Sequence, residues 1–105
     1  MASELASTLS KSDVVILSST GCPFCRKVTQ AFAAKKVAFL EIDYDELDDG
    51  DAVRAEVLKA HQMRSVPAVF VKGKFVGGCN DGPEPWMGAL PLLASGKLEE
   101  MIAAK

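Results

Sequence analysis

The chain has 105 residues, 49% of them apolar and 25% charged, with a formal net charge of −2. That length suits one domain, residues 1–105, able to bury roughly 65% of its unfolded surface without staples. The near-neutral balance, with no lysine- or arginine-rich face, argues against nucleic acid as a partner, and three cysteines are too few for an extracellular disulfide framework.

In chain order, Leu5 and Leu9 at i, i+4, with Ser3 as N-cap, predict a short helix ending near Lys11. Val14 to Leu17 is a continuous, β-branched apolar run, the pattern of a strand buried on both faces. Ser18 to Gly21 then reads as a loop. Pro23 suits the first turn of a helix, on which Phe24, Val28, Ala31 and Phe32 recur at helical spacing and Lys35 and Lys36 bring cations to the last turn. Val37 to Ile42 reads as a second strand, followed by an acidic connection through Asp43, Asp45, Asp48 and Asp49. Val53, Val57 and Ala60 trace the face of another helix, with Asp48 to Asp51 at its N-terminus. Pro67 to Val71 and Lys74 to Val76 flank Lys72-Gly73, a hairpin signal. Gly77 to Gly82 breaks the pattern. Asn80 or Asp81 is a possible helix cap, but Pro83, Pro85 and Pro91 predict irregular structure there. Leu98 and Ile102 mark a terminal helix after Gly96. A β-α-β unit with a right-handed crossover plus a hairpin gives an α/β fold: a mixed four-stranded sheet with helices on both faces.

The chemistry concentrates at Cys22-Pro23-Phe24-Cys25. Cysteine reacts as the thiolate, and an ordinary thiol with a pKa of ~8.5 is little ionised at neutral pH. Cys22 falls at the loop-to-helix junction, where unpaired N–H groups and the helix dipole favour negative charge, and Arg26 and Lys27 follow within the first turns. Such placement lowers a thiol pKa into the range of about 3.5–7.5. Cys25, one turn further in, can reach the Cys22 sulfur and should stay mostly protonated. Cys22 is therefore the attacking thiolate and Cys25 the resolving thiol.

A zinc site is the competing reading of a C-x-x-C pair. The remaining candidate ligands, Cys79 and His61, have no close partners of their own, unlike the paired ligands of structural zinc sites. His61 reads as a helix C-terminal or surface residue, and no metal is expected. Cys79 is either a packed small thiol or a second redox thiol. Met1 to Leu5 lacks the features of a secretory signal, and the apolar runs are too short to cross a bilayer, so no membrane partner is expected. The expected location is the cytoplasm, with an organellar form after removal of a transit peptide left open.

Cys22-Pro23-Phe24-Cys25, Arg64-Ser65-Val66-Pro67 and Gly77-Gly78-Cys79-Asn80-Asp81, in this order, resemble the dithiol glutaredoxins from about Asp13 to Ala104. Thioredoxins share the fold but carry a Trp-Cys-Gly-Pro-Cys site and lack the Gly-Gly-Cys stretch. The resemblance implies a monomeric thioredoxin-like protein that reduces glutathionylated proteins and protein disulfides, with glutathione as electron donor and no permanently bound cofactor. It implies that Pro67 is cis and sets the Val66 backbone beside the active sulfur, where glutathione pairs like an added strand. The position of Pro67 just before Ala68-Val69-Phe70 also permits a mere strand-start proline, a reading that gains weight without the other motifs. Backbone N–H groups around Cys79 and Asn80 would hold the γ-glutamyl carboxylate at a helix start, with Asp81 on its amino group and Gly77 and Gly78 allowing close approach.

Phe24 replaces the commoner tyrosine of the family and keeps the aromatic wall without the hydroxyl. Ser19 stands where the family usually has a lysine, and Met63 where many members have glutamine, so Arg64 or Lys27 is left to supply the charge. Gly82 to Leu90 reads as a short insertion, with Trp86 as a packing residue or a rim contact to a protein substrate. A second function within the family is that of an iron–sulfur carrier, in which Cys22 of two subunits shares a cluster with two glutathiones. Its members mostly have Gly or Ser at the position of Pro23.

Overall fold

A computed structural model describes residues 4–48, 50–63, 65–82 and 87–103. Ser3, Asp49, Arg64, Pro83, Pro85, Trp86 and Ala104, singled out above, lie outside the described residues.

The apolar run over Val14–Ser18 forms β1, buried along its whole length. It lies inside a sheet of order β2-β1-β3-β4, in which β2 is Leu40–Asp43, β3 is Ala68–Val71 and β4 is Lys74–Gly77. β1 pairs in parallel with β2 and antiparallel with β3, and β3 pairs antiparallel with β4. Lys72 and Gly73 turn the hairpin with φ of 51° and 81°. Both signs suit the turn whose twist matches the strands it joins.

Alternate residues of the inner strands feed two cores. Val14, Ile16, Val69 and Val71 pack with Val28 and Phe32 of α2 (Pro23–Ala34), Leu92 and Leu93 of α4 (Ala89–Ser95) and Leu98 of α5 (Lys97–Ala103). Val15, Leu17, Ala68 and Phe70 pack on the other face with Leu5 of α1 (Glu4–Leu9), Tyr44, and Val53 and Val57 of α3 (Gly50–His61). Helices on both faces of a mixed four-stranded sheet make the thioredoxin-like arrangement.

Four local expectations need correction. α2 stops at Ala34, and Lys35 caps it instead of lying in its last turn. Lys36 takes φ 60°, and the Val37 N–H donates to the Phe32 carbonyl at 2.9 Å, so Val37 closes the helix and β2 begins only at Leu40. Ala60 is exposed, and the buried face of α3 rests on Val53 and Val57. The proline-rich stretch is not irregular throughout: Pro91 sits in the first turn of α4, where a helix has no use for its missing N–H.

Tyr44 begins a one-turn 3₁₀ helix, Tyr44–Glu46, and is 5% exposed. Burial pushes its phenol from the ordinary 10.0 up to about 12, against the opposing effect of Arg54, whose guanidinium lies 5.4 Å from the ring centre. Between those two values the unfolded chain has released the proton that the folded chain retains. Stability is therefore undiminished by Tyr44 below about pH 10 and falls as pH climbs toward 12. Denaturant midpoints measured across that window should drop more steeply in the parent protein than in Tyr44→Phe.

Candidate active site

Three segments converge at the C-terminal end of β1. The first is the loop after Ser18, where Gly21 adopts a left-handed φ of 77° and turns the chain into α2. Cys22 is the N-cap of that helix with extended backbone, and Pro23 occupies its first turn. The Cys25 backbone N–H donates to the Cys22 sulfur at 3.1 Å. An N-terminal N–H that would otherwise lack an intrahelical partner thus faces the Cys22 sulfur, where it favours negative charge. Cys22 and Cys25 are joined by a disulfide with Cα atoms 5.3 Å apart. Cys25 is 2% exposed whereas Cys22 is half-buried, so an incoming thiol meets Cys22 first.

The second segment leads into β3. The Val66–Pro67 peptide is cis, and the Val66 carbonyl oxygen lies 3.8 Å from the Cys22 sulfur. Pro67 stands just before the strand and directly follows the carbonyl that approaches the Cys22 sulfur.

The third segment follows β4. Its backbone folds back tightly: the Gly78 N–H donates to the Asp81 carbonyl at 2.7 Å, and the Ala89 and Leu90 N–H groups donate to the carbonyls of Gly78 and Cys79 at 2.8 and 2.9 Å. The stretch is therefore not a helix start, as the sequence suggests. α4 begins ten residues beyond Cys79 with Gly88 as its N-cap, and the carbonyls of Gly78 and Cys79 accept from its first two N–H groups.

One groove of about 310 Å³ is lined by Phe24, Met63, Ser65, Val66, Pro67, Gly78, Cys79, Asn80 and Asp81. Phe24, Ser65, Val66, Pro67, Gly78, Cys79, Asn80 and Asp81, all expected at the site, therefore share this groove, Cys22 and Cys25 form the disulfide, and Gly77 and Lys27 do not line the groove. Phe24 is 56% exposed at its rim. Met63 packs beneath Gly78, its Cε 2.9 Å from where a Cβ would stand.

A second, polar groove of about 380 Å³ shares no described lining residue with the first. Ser18, Ser19, Thr20, Cys22, Cys25, Arg26, Glu41, Asp43 and Glu46 line it. Arg26 lines this groove together with Cys22 and Ser19. Lys27 acts on Cys79. Sequence reasoning missed the anchoring of this wall. Thr20 donates its N–H to Asp45 Oδ2 at 2.9 Å and its hydroxyl to Asp43 Oδ2 at 2.8 Å, and the Asp45 N–H donates to Asp43 Oδ1 at 2.8 Å.

Cys79 is unpaired and 8% exposed, within the core on the α2 side of the sheet. Burial pushes its thiol above the ordinary value, with Lys27 pulling the other way. Chemically it is a packed thiol. After mild reduction at pH 7.5, mass-resolved alkylation should modify Cys22 first and Cys79 at least about tenfold more slowly than a free cysteine. His61 stacks on Phe75 with ring centres 4.6 Å apart. Among the described residues no three His, Cys, Asp or Glu side chains are grouped to hold a metal ion, so the zinc set of Cys22, Cys25, Cys79 and His61 is not assembled. None of the described helices is long and apolar enough to cross a membrane.

Comparison with known proteins places these features in a family. The family model described as Glutaredoxin matches residues 14–76. A rice protein, "Glutaredoxin-C4, chloroplastic", is 36% identical over 73 residues, 70% of this chain and 55% of its own length. The mouse "Glutaredoxin-2, mitochondrial" is 32% identical over 78 residues, 74% of this chain and half of its own length. The chain thus spans little more than half of these relatives. The solved structure of a buckwheat glutaredoxin–glutathione complex superposes with a TM-score of 0.79 at 30% identity, covering 91% of this chain and 81% of that one. A wheat glutaredoxin structure gives 0.78 at 31% identity, covering 93% and 89%.

Proposed function

This chain belongs to the glutaredoxin family, and from that premise we propose that it is a glutathione-dependent thiol–disulfide oxidoreductase. Its substrates are glutathionylated proteins and protein disulfides, and it works as a monomer in a reducing compartment such as the cytoplasm. The observation that carries this reading is the groove beside the Cys22–Cys25 disulfide. It offers the backbone of Val66 just before β3, closely packed glycine backbone at Gly78, and a carboxylate at Asp81 for an α-amino group. Arg64, next to Ser65 in sequence, completes the proposed glutathione set of Phe24, Arg64, Ser65, Val66, Pro67, Gly78, Cys79, Asn80 and Asp81.

In the reaction, the Cys22 thiolate attacks the glutathione sulfur of a mixed disulfide and the substrate leaves as its thiolate. A second glutathione thiolate then attacks the glutathione sulfur of the adduct, releasing glutathione disulfide and restoring Cys22. With a protein disulfide, Cys25 attacks Cys22 instead, and the Cys22–Cys25 bridge forms as the second substrate thiol departs. The test is turnover of a glutathionylated peptide by the reduced protein with glutathione and glutathione reductase. Turnover that saturates with glutathione is expected. Reduction of the protein by a thioredoxin reductase but not by glutathione would overturn the reading.

A further inference from the structure

The reactive sulfur is only as well placed as the loop that carries it. Gly21, the residue before Cys22, has no side chain to anchor, and even a Cβ built there would meet nothing within 4 Å. Thr20 is thus the last residue before Cys22 that side-chain bonds can hold. Both of its donors are taken by carboxylates across the polar groove, Asp45 for the N–H and Asp43 for the hydroxyl. Asp43 is itself fixed twice over: it ends β2 in parallel register with Ser18, and its second oxygen accepts the Asp45 N–H. The rigid β1–β2 pair is therefore tied across to the far end of the loop.

We propose that Thr20, Asp43 and Asp45 form a positioning clamp for Cys22, holding its sulfur between the Cys25 N–H and the Val66 carbonyl without touching substrate. The assignment rests on the redox role proposed for Cys22, yet it can be read from the sulfur directly. Electrostatics alone would give the clamp the opposite sign. Carboxylates near a thiolate disfavour it, and among the described residues lining the groove of Cys22, Glu41, Asp43 and Glu46 face one cation, Arg26. A merely electrostatic Asp43 would therefore slow Cys22, and its removal would speed the thiol up. A positioning Asp43 loses reactivity when the bond to Thr20 is lost.

The experiment measures the iodoacetamide rate of Cys22 in the reduced full chain across pH, beside glutathione-linked turnover. Thermal melts identify which variants fold. Thr20→Val keeps the shape and the carboxylates but removes the hydroxyl bond, and should lower both rates roughly three- to tenfold, the scale of one typical net hydrogen bond. Thr20→Ser restores the hydroxyl and should recover them. Asp43→Ala should fall likewise. Asp43→Asn can still accept from Asp45 and offer an N–H to Thr20, so it should keep turnover within about twofold while the Cys22 titration moves to lower pH. A parent-like alkylation rate in Thr20→Val, or equal impairment in Thr20→Ser, overturns the clamp. Should Thr20→Val not fold, Asp45→Ala, which frees the Thr20 N–H, is read in its place: a lowered rate supports the clamp and a parent-like rate overturns it. Absent turnover in the parent would instead sink the proposed function, and the alkylation rates would still decide the clamp.

Discussion

Cys22→Ser is expected to lose at least about a thousandfold in deglutathionylation rate, while Cys25→Ser stays close to the parent protein. A serine hydroxyl at position 22 meets the same N–H and helix terminus as the thiol, but its proton is far too tightly held to leave at neutral pH. Oxygen is also a poor partner for attack on a disulfide sulfur. The asymmetry with Cys25 follows from the geometry. What Cys25 gives the Cys22 sulfur is its backbone N–H, at 3.1 Å, and serine retains that donor. Cys25 itself is 2% exposed, and in the proposed reaction its sulfur is needed only to release Cys22 from a protein disulfide. Cys25→Ser should therefore turn over glutathionylated peptides yet stall as a trapped mixed disulfide on dithiol substrates, visible as a higher-mass species on a non-reducing gel. Activity surviving in Cys22→Ser would place the attacking sulfur elsewhere.

What could be read from the chain alone follows the range of the interactions involved. β1 is legible because four consecutive apolar residues, three of them β-branched, suit a strand covered on both faces. The hairpin is legible because Lys72-Gly73 specifies its own turn. The groove residues are legible as motifs, each defined by a few neighbours in sequence. The misplaced boundaries are those where tertiary contacts override local pattern. Val37 is apolar because it is buried in the core at the end of α2, not because it extends β2. α4 is masked by Pro91, which looks like a breaker until the helix start is known. The clamp was invisible for a related reason. Asp43 and Asp45 read as part of a solvated acidic connection, and only the fold brings them to Thr20, more than twenty residues earlier in the chain.

Gly77→Ala is expected to damage both stability and the groove, with Gly73→Ala as the control that separates the causes. Both glycines have left-handed φ, 117° and 81°, so a side chain at either adds backbone strain of about 1–2 kcal/mol. At Gly73 nothing lies within 4 Å of the added carbon, and strain is the whole effect. At Gly77 the added carbon meets the Asp81 carbonyl oxygen, with the Gly82 Cα 2.5 Å away. Neither backbone atom can retreat without opening the turn closed by the Gly78-to-Asp81 hydrogen bond of 2.7 Å. The collision should raise the cost to about 3–5 kcal/mol, the range reserved for severe core or backbone conflicts. At about 4–8 °C per kcal/mol for a chain of this size, Tm should fall by more than ~10 °C in Gly77→Ala and by less in Gly73→Ala. The functional consequence differs in kind as well as size. Gly78, Cys79, Asn80 and Asp81 line the groove, so folded Gly77→Ala should show a raised KM for glutathione, whereas Gly73→Ala should leave KM unchanged. Equal stability loss in the two variants would mean that the 77–82 turn yields to a methyl group. An unchanged KM in folded Gly77→Ala would mean that this backbone is not where glutathione is held.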